Sequence, residues 1–158
     1  MKQLALDIGL ATGPSLGNYF AGANEAALQH LRLWVGQGSQ QATRAPVPTY
    51  LWGAPGSGKS HLLKAVASAL REQGASVGWL DPSVHARPEF DERWAAVLLD
   101  DVHLYSTAQQ ALAFNWFVNA TSPGSGAPRW VLAAGSVPPA DLPLRDDLRS
   151  RLGWGHVF

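Results

Sequence analysis

Eight consecutive residues carry the strongest chemical signal in this chain. Gly53-Ala54-Pro55-Gly56-Ser57-Gly58-Lys59-Ser60 fits the phosphate-binding pattern G-x-x-x-x-G-K-[ST] at every fixed position. Glycines let the backbone turn so that successive N–H groups converge on phosphate oxygens. A helix that starts directly after them aims its N-terminus at the same anion. Lys59 then reaches the β- and γ-phosphates, and the Ser60 hydroxyl ligates magnesium. His61, the next residue, joins the nucleotide-binding set. The implied ligand is ADP or ATP with Mg2+.

Three further points could complete such a site. Ala95-Ala96-Val97-Leu98-Leu99-Asp100-Asp101 is an apolar run that ends in two carboxylates. A strand of this kind places Asp100 on the magnesium side, acting mainly through water, and Asp101 where it can polarise an attacking water. The apolar run ending at Ala134 leads into Gly135-Ser136-Val137-Pro138-Pro139. Ser136 is the candidate to touch the attacking water or the γ-phosphate, and a plain turn serine before prolines explains it almost as well. Arg145, Arg149 and Arg151 cluster in residues 144–152. Helical spacing puts 145 and 149 on one face and 151 on another. An ordinary surface helix accounts for such arginines. The sharper alternative is an arginine finger, which stabilises transition-state charge and can act in trans on a neighbour's nucleotide.

These groups need a frame, and the pattern of apolar residues supplies one. Residues 1–21 read as an extended arm. A helical period runs from Gly22 to about Val35 and is followed by a polar Gly/Pro loop over 36–48. Strands are expected at 49–52, 77–80, 94–99 and 130–134, with a fifth beginning at 156. Helices are expected at 59–72, 107–119 and 144–151. Alternating strands and helices argue for a parallel sheet covered by helices on both faces.

Composition sets the limits. The chain has 158 residues, 46% of them apolar and 15% charged, which suits one packed domain and excludes wholesale disorder. Twelve basic and twelve acidic side chains cancel. That balance argues against a domain that grips nucleic acid through its phosphates. No apolar run approaches the ~20 residues of a membrane span, and the first residues lack the apolar core of a secretory leader. With no cysteine, disulfides and thiolate chemistry are excluded, and a cytoplasmic setting fits.

The phosphate loop, then Leu98-Leu99-Asp100-Asp101-Val102-His103, then Leu148-Arg149-Ser150-Arg151-Leu152-Gly153-Trp154-Gly155 resemble the AAA+ domain of the bacterial replication initiator DnaA and its relatives. The resemblance covers about residues 15–158. It implies a P-loop three-layer α/β/α fold with a five-stranded parallel sheet. The last segment is similar to the box that holds the family's arginine finger, which makes Arg151 the finger and Arg149 its neighbour. Residues 18–24 are similar to the family's adenine-side stretch, which brings Phe20 and Ala21 to the base. Ser136-Val137 departs from the Asp-Arg that relatives often carry there. The family's helical lid would follow the fifth strand and is absent from this sequence. The resulting division is a clamp-binding arm over 1–14 and a nucleotide-binding subdomain over 15–158.

The opening Gln3-Leu4-Ala5-Leu6-Asp7 is similar to the sliding-clamp-binding motif that begins family regulators of the Hda kind. In such linear motifs Gln3 fills a polar niche while Leu4 and Leu6 enter an apolar groove. This resemblance implies a regulator that sits on the polymerase sliding clamp (beta subunit) and promotes hydrolysis of DnaA-bound ATP. Its own nucleotide would be largely structural, pointing to ADP, with weak intrinsic hydrolysis. Self-association is compatible with it, whereas sequence-specific DNA contact and membrane attachment are not expected. The alternative is an ATPase in its own right, of the initiator or helicase-loader kind, driven by Asp101.

Overall fold

A computed structural model describes residues 29–31, 47–54, 58–122 and 127–158. The elements run β1 (Thr49–Trp52), α1 (Lys59–Glu72), β2 (Ser76–Leu80), β3 (Trp94–Leu99), α2 (Thr107–Thr121), β4 (Trp130–Gly135), α3 (Asp146–Leu152) and β5 (His156–Val157). Short 3-10 turns follow β3 and β4, at Val102–Leu104 and Pro139–Asp141. The strands form one five-stranded sheet in the order β2-β3-β4-β1-β5, with every pairing parallel. The expected architecture is therefore the observed one. The expected helix from Gly22 lies largely outside the described residues, of which 29–31 are helical.

Successive residues of a strand face opposite sides, and β3 and β4 are buried on both. Ala96 and Leu98 of β3, with Trp130, Leu132 and Ala134 of β4, pack against Leu62, Leu63, Val66 and Leu70 of α1. Val97, Leu99, Val131 and Ala133 face the other way, onto Ala113, Trp116 and Phe117 of α2 and Leu148 and Leu152 of α3. Thus α1 covers one face, while α2 and α3 cover the other.

The helix ends show how local chemistry sets boundaries. Gly58 caps α1 at φ 94°, a left-handed conformation that suits glycine. Ser106 and Gln109 form a reciprocal capping box at the start of α2. The Gln109 amide also donates to the carbonyls of Pro82 and Val84 at 3.0 and 2.9 Å. Together with the Trp116 indole N–H on the Pro88 carbonyl at 3.1 Å, it fastens the crossover after β2 to α2. α2 runs two residues past its expected end, where the Thr121 hydroxyl donates back to the Phe117 carbonyl at 2.8 Å.

α3 starts later than expected, at Asp146, because Arg145 is extended (φ −58°, ψ 148°) and serves as its N-cap. Leu142 and Leu144 are buried but lie outside the helix. Their apolar character reflects core packing, not helical period. Asp146 and Asp147 in the first turn and Arg149 and Arg151 in the last complement the helix dipole.

A histidine cluster sits at the sheet end opposite the phosphate loop. The His30 ring shares a hydrogen bond with the Thr49 hydroxyl at 3.1 Å, and lies 4.7 Å from the His156 ring. Burial first, and then the charge on His156, lower the His30 pKa below its ordinary 6.5. The unfolded chain therefore takes up this proton more readily than the folded one. Stability is expected to be level above pH 6.5 and to fall as pH drops below it, towards the lowered folded value. Thermal melts from pH 7.5 to 5 check this. His30→Gln, which keeps a donor for Thr49, should flatten the slope, and an unchanged slope would count against the assignment.

Candidate functional site

The C-terminal ends of β1, β3 and β4 lie side by side in the sheet, so the segments that follow them converge. Trp52 is in register with Gly135, and the Gly53 N–H donates to the Gly135 carbonyl at 3.3 Å. The start of the phosphate loop is thereby tied to the end of β4, next to Ser136. Of the loop itself, Gly53, Ala54, Gly58, Lys59, Ser60 and His61 are described, while Pro55, Gly56 and Ser57 lie outside the described residues. Lys59 and Ser60 open α1, with no side chain capping that helix end. Its first N–H groups thus face the position an anion would take. The Lys59 ammonium lies back across the loop, donating to the carbonyls of Gly53 at 2.7 Å and Ala54 at 3.1 Å. His61 is half-buried in the same first turn.

Asp100 is 4% exposed. Burial raises its pKa, a hydrogen bond from the Ser60 hydroxyl opposes the rise, and the charge on neighbouring Asp101 adds to it. A buried carboxylate beside a hydroxyl is a hard-oxygen pair that suits a divalent cation. Ser60 and Asp100 thus fit magnesium, which when bound would neutralise phosphate charge at this point.

Asp101 has φ 51° and ψ 47°, and is the one non-glycine with positive φ among the described residues. This left-handed conformation is uncommon for side-chain-bearing residues and recurs at functional sites. It turns the chain sharply out of β3, with the Asp101 N–H donating to Asp100 Oδ1 at 3.0 Å. The Asp100 carboxylate thus holds the backbone of the residue that follows it.

The sheet adds groups that sequence patterns did not flag. Asp81 follows β2 and interacts electrostatically with Asp100. Burial would raise the Asp81 pKa. Hydrogen bonds from Ser83 and the Trp79 indole, with the charge on Lys64, hold it below its usual value instead. The fully buried Tyr50 donates its hydroxyl proton to the Val137 carbonyl at 2.6 Å, which fixes the turn that carries Ser136. A Tyr inside an apolar strand was the available signal, since its hydroxyl must find a partner when buried.

The three arginines have different fates. Arg145 makes a two-pronged ion pair with Asp147, at 2.7 and 2.8 Å. Arg149 pairs with Asp146 and also donates to the carbonyls of Leu144 and Leu142. Arg151 forms no ion pair among the described residues. Its guanidinium sits 4.8 Å from the Phe114 ring centroid and donates weakly to the Asp147 carbonyl at 3.3 Å. Arg145 lies 5.0 Å from the same ring. Arg145 thus shares a surface with Arg151 and not with Arg149, contrary to the helical spacing, because it stands outside the helix. Phe20 and Ala21, and also Gln3, Leu4 and Leu6, lie outside the described residues.

No protein-family model matches the chain. Solved structures do. AMPPCP-bound DnaA from Aquifex aeolicus superposes with a TM-score of 0.69 at 21% identity, over 95% of this chain and 50% of that one. Domain III of the Thermotoga maritima initiator DnaA gives 0.67 at 20% identity, over 90% and 65% of the two chains. The fold is a DnaA-like AAA+ fold. A protein described as a primosome component from Streptococcus pyogenes shares it, with a TM-score of 0.59 at 18% identity over 94% and 83%. The chain spans about half the length of the first initiators it matches. Within this DnaA-like frame, Gly53, Asp100, Asp101 and Ser136 follow adjacent strands at one end of the sheet, while Arg151 belongs to the α2–α3 layer. Among the described residues no helix is long and apolar enough to cross a membrane.

Proposed function

We propose that the chain is a cytoplasmic, nucleotide-binding AAA+ regulator of replication initiation, of the Hda kind. Residues 3–8 hold it to the sliding clamp. Gly53 to His61 bind ADP or ATP, with Phe20 and Ala21 at the base and Ser60 and Asp100 on magnesium. Arg151 is presented to ATP bound by DnaA and promotes its hydrolysis, so that less initiator stays active. The bound nucleotide is mainly structural here.

One observation carries this reading. Arg151 is the arginine of its cluster that forms no ion pair with an acid of the described chain, and it stands on the layer opposite α1. A guanidinium not tied into an ion pair there suits a nucleotide held by another molecule. The test uses the full chain and immobilised clamp. Gln3→Ala with Leu6→Ala should abolish retention while leaving nucleotide binding intact. Undiminished retention would remove the clamp from the proposal.

A second reading rests on Asp101. A second carboxylate directly after β3, on a left-handed backbone, suits a water-polarising base. With Ser136 as its partner at the γ-phosphate, the chain would be an ATPase itself, of the initiator or helicase-loader kind. Steady ATP turnover by purified chain alone, stopped by Asp101→Asn, would favour that reading over the regulator.

A further inference from the structure

We infer that Phe114 is the positioning residue for Arg151: its ring is the platform that fixes the guanidinium in the pose offered to a partner's nucleotide. This deepens the trans-acting role proposed above and rests on it.

A finger arginine faces two conflicting demands. It must be held still, because a long flexible side chain loses much rotamer freedom when it docks. It must also keep its charge and N–H donors available, which an ion pair within its own chain would consume. A ring face meets both demands. It attracts the cation through its quadrupole and occupies none of the N–H groups at the guanidinium edge. Phe114 does this for Arg151 at 4.8 Å, from a different helix.

The surroundings reinforce the arrangement. Asp147 is the acid in position to capture Arg151, since it sits four residues earlier on the same helix. Its carboxylate accepts side-chain hydrogen bonds from Arg145, at 2.7 and 2.8 Å, and Arg151 feels that carboxylate only through space. The hydrogen bond Arg151 makes to Asp147 is to the backbone carbonyl, at 3.3 Å. Leu148 and Leu152, both buried, anchor α3 against the layer that also holds α2. Ring and guanidinium therefore have fixed bases. Phe114 itself is partly buried against this core, so a leucine there keeps apolar contact while removing the π face.

The experiment compares the full chain with Phe114→Leu, Phe114→Tyr, Arg151→Ala and the Phe114→Leu/Arg151→Ala double variant. The readout is hydrolysis of DnaA-bound ATP on clamp-loaded DNA as the chain is titrated. Phe114→Leu should lower the maximal stimulated rate about five- to tenfold, the size of one partly exposed cation–π contact with its ordering. The half-saturating concentration should stay unchanged. Phe114→Tyr, which keeps the ring, should retain the wild-type rate, and Phe114→Leu should add nothing once Arg151 is Ala. An equal loss with and without Arg151, or the same loss in the Tyr variant, would overturn the inference. A second readout needs no partner. The Arg151 side-chain protons should show an upfield ring-current shift in wild type and Phe114→Tyr, lost in Phe114→Leu. If Arg151→Ala leaves the partner's hydrolysis unchanged, the trans-acting role fails. The ring-current shift then decides the platform separately, and its absence in wild type overturns it.

Discussion

In the proposed regulator role, Arg151→Ala is expected to lower stimulated hydrolysis of DnaA-bound ATP by about 10³-fold, the smaller end of what a finger arginine contributes. Binding of ADP or ATP by the chain itself should not change. The reason lies in how the three arginines are engaged. Arg149→Ala would strand the carbonyls of Leu142 and Leu144 and free Asp146, so its cost should appear as lost stability. Arg151→Ala removes a guanidinium that pairs with no acid of the described chain, so its cost should appear in the reaction. Single-turnover hydrolysis with radiolabelled ATP on DnaA, alongside thermal melts of each variant, separates the two. A similar rate loss for both variants would show that Arg151 acts through the fold of α3.

Gly135→Ala is the second large effect, this time on stability and nucleotide binding together. A Cβ at this position would lie 2.3 Å from the Tyr50 hydroxyl oxygen and 3.1 Å from a Val102 methyl. Tyr50 is fully buried. Relief requires β4 to move away or the Tyr50 hydroxyl to release the Val137 carbonyl. Overpacking plus a lost buried hydrogen bond should cost about 2–4 kcal/mol. The Gly53 N–H, bonded to the Gly135 carbonyl, should carry the displacement into the phosphate loop and weaken ADP binding. Tyr50→Phe in the Gly135→Ala background removes the clashing oxygen and leaves the ring carbon at 3.3 Å. The double variant should therefore be more stable than Gly135→Ala alone. Urea melts and ADP titrations check both statements. Additive losses would show that the clash is relieved elsewhere.

Much of this molecule could be read from local signals. β1, α1 and β3 begin and end where residue type and period place them. Their apolar runs are bounded by Gly53, Gly58 and Asp100, each of which stops or starts an element by its own chemistry. The phosphate loop and the paired acids are contiguous in sequence, so their residue types alone suggest the chemistry. What stayed hidden depends on contacts between distant segments. Nothing in residues 107–121 marks Phe114 as a cation platform, because the cation arrives from α3. The Tyr50–Val137 bond joins positions far apart in the chain, and the glycine requirement at 135 follows from it. α3 misled the periodicity for a related reason, since Leu142 and Leu144 are apolar through burial in the α2–α3 core and not through helix formation.

The left-handed backbone at Asp101 also restricts which sequences can occupy this site. A residue that must hold φ near 51° there is subject to a conformational filter before any chemistry is tested. Asn and Gly pass it at little cost, whereas Glu or a β-branched residue meets a penalty of roughly 1–2 kcal/mol. Single substitutions at 101 should thus divide by backbone tolerance first and by charge second. The neutral variants Asn and Gly would fold well without a carboxylate, while Glu keeps the charge and strains the turn. Drift at this position would then favour loss of the carboxylate over its lengthening, and chains that no longer need to cleave their own nucleotide could lose it without destabilising the fold.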